Sequence, residues 1–98
     1  MAFIQVIEMR TSKIDEIAKL EAEYRAATEG RRTVRRAIVT QDRNDPERHL
    51  ILVFFDSYEA AMENSNLPET AAFGEKQSAF VDGPPTFIDL DVLEDNEG

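Results

Sequence analysis

The stretch HLILVFF, residues 49–55, limits what this chain can fold into more than any other. Extended, it points Leu50, Leu52 and Phe54 to one side and Ile51, Val53 and Phe55 to the other. Such a strand needs cover on both faces, because each apolar side chain left wet forfeits about 1.5–3 kcal/mol. The stretch AFIQVIEM (2–9) makes the same demand, with Phe3, Gln5 and Ile7 opposed to Ile4 and Val6. Two strands apolar on both faces are the central strands of a sheet, and the rest of the chain must supply their cover.

Strand 2–9 gives way to a helix. Thr11 or Ser12 is placed to cap it, with Asp15 and Glu16 in its first turn, and it runs to about Thr28, stopped by Gly30. Ile14, Ile17, Ala18, Leu20, Tyr24 and Ala27 form its apolar stripe. TVRRAIVTQD (33–42) reads as a second strand and RNDPE (43–47) as a turn, so HLILVFF returns as the partner of a hairpin. Ser57 then caps a short helix that stalls at NSN (64–66). Pro68 restarts it with Asn66 as cap, and this piece reaches about Phe80. VDGPP (81–85) is a turn and TFIDLDVLED (86–95) alternates as a last strand. The order β-α-β-β-α-β is the ferredoxin-like pattern: a four-stranded antiparallel sheet with both helices on one face. Helices on one face leave the other bare, and the economical cover is a second copy of the chain, sheet against sheet.

With 98 residues the chain is one domain's worth, expected over 1–93, followed by an acidic, disordered end at 94–98. It has no cysteine, which removes disulfides and thiolate chemistry and agrees with a cytoplasmic location. No run approaches the roughly 18 apolar residues that span a bilayer, so no membrane partner is expected. The net charge of −9 is unevenly placed: residues 1–50 hold ten Lys/Arg against nine Asp/Glu, and residues 51–98 hold Lys76 alone against eleven acids. That field opposes nucleic acid, whose affinity comes from phosphate neutralisation. The run RRTVRR (31–36) is the exception. It lacks interleaved aromatics and a glycine-rich loop, and it reads as a solvated cluster at a sheet edge.

The junction VFFDSYEAAMENSNLPETAAF (53–73) adds a resemblance. An aromatic strand end, D-S-x-E-A opening a helix, a break at N-S, a proline three residues later and then an aromatic are similar to the dimeric α+β barrel superfamily, in particular its antibiotic biosynthesis monooxygenase-like domain. The resemblance extends over nearly the whole chain, with DGPPTFIDLDV as the last strand. It implies a homodimer joined through sheet faces and a cavity between helices and sheet near the helix break. It also implies a small apolar or aromatic ligand, either oxidised as in the cofactor-independent monooxygenases or simply bound by a noncatalytic module. The haem-degrading branch uses an Asn on the first strand, a Trp near the end of the third and a His on the following helix. Here stand Gln5 and Phe55, with no His after residue 49 and no tryptophan. No haem ligand, metal or other cofactor is therefore implied.

The candidate ligand contacts are Gln5 and Asn64 as polar groups and Phe55, Phe73 and Phe80 as walls, with Tyr24 a further aromatic of the same kind. Each has a plainer use: Gln5 can satisfy a backbone group, Asn64 and Ser65 can end helix pieces, and the aromatics can be core. His49, beside the turn and without a companion ligand, reads as a surface histidine. Asp89 and Asp91 share one face of a strand, which fits a metal pair or simply the wet side of an edge. No nucleophile–base spacing, phosphate loop or G-x-S-x-G marks a catalytic residue.

Overall fold

The computed structural model describes residues 2–98. Its elements are β1 (Phe3–Arg10), α1 (Ile14–Ala27), β2 (Arg36–Asp42), β3 (Asp45–Phe55), α2 (Tyr58–Ser65), α3 (Pro68–Gln77) and β4 (Thr86–Asp91). The strands form one antiparallel sheet in the order β2-β3-β1-β4, the ferredoxin-like arrangement with its second helix broken in two. The two strands apolar on both faces are the central pair. They are also the longest, at eight and eleven residues.

Register decides which residues meet the helices. Phe3 lies opposite Phe55, Gln5 opposite Val53, Ile7 opposite Ile51 and Met9 opposite His49, and partners in an antiparallel ladder share a face. Phe3 and Phe55 are buried with Ala61 of α2, which identifies theirs as the helix-covered side. On the other side lie Ile4 and Val6 of β1, Leu50, Leu52 and Phe54 of β3, Ile38 of β2, and Ile88 and Leu90 of β4. Ile88 and Leu90 are 42% and 44% exposed. This face carries no helix, and its middle is apolar, with Glu8, Arg10, Arg36, Thr40 and Arg48 towards its margins.

The ends of the elements differ from the sequence reading in instructive ways. The N-cap position of α1 is Lys13; Thr11 stands two residues earlier, buried, accepting from the Lys13 amide at 2.9 Å and donating to the Phe80 carbonyl. Its hydroxyl ties the start of α1 to the segment after α3. Asn66 is the C-cap of α2, and the N-cap of α3 is Leu67, held extended at ψ 134°, because a residue before proline avoids the helical region. Ser57 caps α2 as expected, accepting from the Ala60 amide at 3.0 Å. Gly30, at φ 82°, makes the turn out of α1 that a side chain would oppose.

β3 starts earlier than the turn reading places it. Asp42 pairs with Asp45 while Gln41 pairs with His49, so Pro46, Glu47 and Arg48 occupy a bulge. Proline is at home there, having no amide to give a ladder. The longer strand puts His49 inside the ladder and away from the turn, on the face that alternation gives it with Phe55, where it is 3% exposed and its Nδ1 lies 3.1 Å from the Thr40 carbonyl. It is a core histidine and not a surface one. β4, by contrast, ends at Asp91, and residues 92–98 carry no helix or strand.

Ion pairs clamp the hairpin end. Arg10 Nη1 lies 2.7 Å from Asp45, and Arg48 reaches Glu8 at 2.7 Å and Asp42 at 3.0 Å. Arg10 holds the Asp45 carboxyl below its ordinary range, while the Asn44 amide and then Arg48 lower Asp42. Arg35 does the same for Asp56, and Arg31 for Glu69. A carboxylate whose pKa is depressed on folding contributes stability that is present above the unfolded pKa and is lost as pH falls through the folded one. Urea midpoints are therefore expected to be level near neutrality and to fall below about pH 4. In Asp45→Asn part of that acid slope should disappear; an unchanged slope would mean the Arg10 pair contributes nothing.

Candidate functional site

The helix break builds the site. Because α2 stops at Ser65 and Pro68 restarts the chain in a new direction, Asn64 is turned inward and is only 7% exposed. Its Nδ2 donates to the Tyr24 hydroxyl at 3.0 Å, and its Oδ1 accepts from the Thr33 amide at 3.3 Å. The Tyr24 and Thr70 hydroxyls are 2.8 Å apart, and Thr70 donates to the Asn64 carbonyl at 2.7 Å. A hydroxyl has one proton to give. Since Thr70 spends its own on Asn64, Tyr24 must be the donor to Thr70, and the three residues form a closed ring with every donor pointing the same way round. One amide N–H of Asn64 and one lone pair of the Tyr24 oxygen are left over for another partner.

In front of this ring runs a groove of about 260 Å³ between α1 and α3, walled by Leu20, Tyr24, Ala27, Ala72 and Phe73. The Tyr24 and Phe73 rings lie 5.2 Å apart and tilted by 42°, a favourable aromatic geometry. Glu23, Glu69 and Lys76 stand at the rim. Glu69 is engaged by Arg31, which also donates to the Ala27 carbonyl at 2.7 Å and so ties the end of α1 to α3. The groove can therefore receive a flat apolar body, and Tyr24, the one ring member in its lining, joins it to Asn64 and Thr70.

Of the sequence candidates, Asn64 and Phe73 are brought together, joined through Tyr24. The other three lie elsewhere. Gln5 is on the helix-facing side of β1 and donates to Asp89 Oδ1 at 3.2 Å, so its partner is a side chain and not a backbone group. Phe55 is in the core, 5% exposed, with its ring 6.3 Å from that of Phe3. Phe80 lies beyond α3 with Lys13 Nζ 6.0 Å from its ring centre. Asp89 and Asp91 are exposed but belong to the helix-facing side of the sheet, in register with Gln5 and Phe3. Among the described residues no group of three or more His, Asp or Glu is placed to hold a metal ion. Thr70 was missed by sequence reasoning. The available signal was a hydroxyl at the third position of a helix restarted by proline, where it reaches back to the carbonyls before the break.

No family model matches this chain, and no curated protein matches it. Solved structures do. A candidate antibiotic biosynthesis monooxygenase from Caulobacter crescentus superposes with a TM-score of 0.80 at 17% identity, over 95% of this chain and 91% of that one. SnoaB, a cofactor-independent oxygenase from Streptomyces nogalater, superposes with a TM-score of 0.79 at 9% identity, over 96% and 95%. Rv0793 from Mycobacterium tuberculosis gives 0.78 at 10% identity, over 99% and 100%. At these identities the likeness is one of fold.

Proposed function

We propose, for a chain that carries the fold of the antibiotic biosynthesis monooxygenase-like proteins of the dimeric α+β barrel superfamily, that it is a homodimer which binds a small apolar or aromatic molecule in the α1–α3 groove and oxidises it without metal or flavin. The observation that carries this reading is the closed hydrogen-bond ring of Asn64, Tyr24 and Thr70 behind an aromatic-walled groove. A polar side chain at the wall of an apolar recess, here Tyr24 held by Asn64 and Thr70, is what orients a small ligand. The bare apolar sheet face supports the homodimer, formed by the unit 1–93 with residues 94–98 outside it, and the absence of cysteine supports a cytoplasmic home.

The likeness to a cofactor-independent oxygenase supports the chemistry. An electron-rich aromatic alcohol that has lost its proton reduces dioxygen itself, and the protein need only hold it and stabilise the oxyanion. Tyr24 is the ring member that lines the groove, and its hydroxyl can turn from Thr70 to donate to that oxyanion. A second reading is favoured by the same ring: its groups are already partnered within the protein, so a noncatalytic binding module needs no more than the groove. Gln5 with Asp89 is a further polar pair on the sheet below the helices.

A naphthol titrated by fluorescence, with oxygen uptake measured on the same samples, separates these readings. Phe73→Ala is expected to weaken binding roughly tenfold, the worth of about one aromatic pair, with dimer mass unchanged. Uptake by the wild type supports the oxygenase, and binding without uptake supports the binding module. No binding at all would remove both.

A further inference from the structure

The four arginines of the RRTVRR run have different fates. Arg31 is paired with Glu69, Arg35 donates through Nε to Asp56 at 2.9 Å, and Arg36 lies over the Phe54 ring at 5.9 Å. Arg32 is the exception: its Nη1 is shut off from solvent and has no hydrogen-bond partner. A charged donor left in that state is costly. Arg32 lines a second cavity, of about 320 Å³, distinct from the α1–α3 groove. Val34 and Ala60 give this cavity apolar wall.

We infer that this cavity is a binding site for a small monoanionic carboxylate with an apolar body, its carboxylate held by the Arg32 guanidinium. A guanidinium is a planar fork of five N–H donors, so with Nη1 closed off its Nε–Nη2 edge still matches a carboxylate with two parallel hydrogen bonds. The lining charges cancel, Arg32 and Arg35 against Asp56 and Glu63, so each further negative charge on a ligand adds cost and a dianion such as phosphate is disfavoured against a monoanion. The volume lies within the roughly 300–1,000 Å³ typical of small-molecule sites. The cavity also backs onto the candidate site: Thr33 lines it, while the Thr33 amide donates to Asn64 Oδ1 at 3.3 Å and the Thr33 hydroxyl to the Ala60 carbonyl at 2.6 Å.

Calorimetric titration of the full-length protein with benzoate, benzamide and inorganic phosphate tests this. Benzoate is expected to bind saturably, benzamide and phosphate at least tenfold more weakly. Arg32→Gln should lower benzoate affinity tenfold or more, and Arg32→Lys, which keeps the charge and loses the fork, should fall between. Phe73→Ala, in the other groove, should leave benzoate binding as it is; a matching loss there would place the benzoate in the α1–α3 groove and overturn the assignment. Benzamide binding as tightly as benzoate, unchanged binding by Arg32→Gln, or no saturable benzoate binding would each overturn it too. So would loss of dimer mass in Arg32→Gln with a wild type indifferent to benzoate, since the guanidinium would then be answering a carboxylate of the second copy.

Discussion

Leu52→Lys is expected to turn the proposed dimer into a folded monomer. Leu52 lies at the middle of the bare sheet face, opposite Val6 on one side and Ile38 on the other. In the single chain it is half-buried, so a lysine stem can lie along the apolar surface and carry its ammonium to water. In a two-fold interface the same position is buried, and symmetry places two ammonium groups in the contact. A central interface residue commonly accounts for about 2 kcal/mol or more. Two sites together give about 4 kcal/mol, or roughly a thousandfold in the dimer dissociation constant. Native mass spectrometry and sedimentation velocity read the change, with far-UV circular dichroism expected to match the wild type. A dimer of undiminished affinity would show that the copies meet somewhere other than this face.

The second large effect is in the core. Phe55→Ala is expected to destabilise the domain by about 3–5 kcal/mol, the range for emptying a buried phenylalanine site. Phe55 joins three things at once: it ends β3, it stands in register with Phe3, and it packs under Ala61 at the turn into α2. The adjacent Tyr58 ring, edge-on to Phe3 at 5.5 Å, has one side in solvent and cannot fill the gap. Domains of this size are held by only about 5–15 kcal/mol, so melting temperature should fall by roughly 15–30 °C. Phe55→Leu should recover much of it. A loss below about 1 kcal/mol for the alanine variant would mean that the Phe3–Phe55–Ala61 cluster is not the centre of stability.

The sequence by itself determined the fold class and the two central strands, because apolar residues on both faces of a strand have few places to go. It also placed the helix break, since Pro68 cannot extend α2, and the Ser57 cap, whose contacts lie within three residues. Where contacts were distant in sequence, tertiary structure decided. His49 was misplaced because a proline read as a turn residue sits instead in a bulge, so the strand continues past the imidazole and leaves it covered on the Phe55 face rather than exposed at a strand end. Gln5 finds Asp89 only through the register of β1 with β4, eighty-four positions apart. Asn64, Tyr24 and Thr70 come from three different helices, and nothing in the spacing of an asparagine, a tyrosine and a threonine announces a ring. Their hydroxyl and amide directions are fixed by helix packing, which is long-range, so this part of the candidate site emerged only when α1 and α3 were laid side by side.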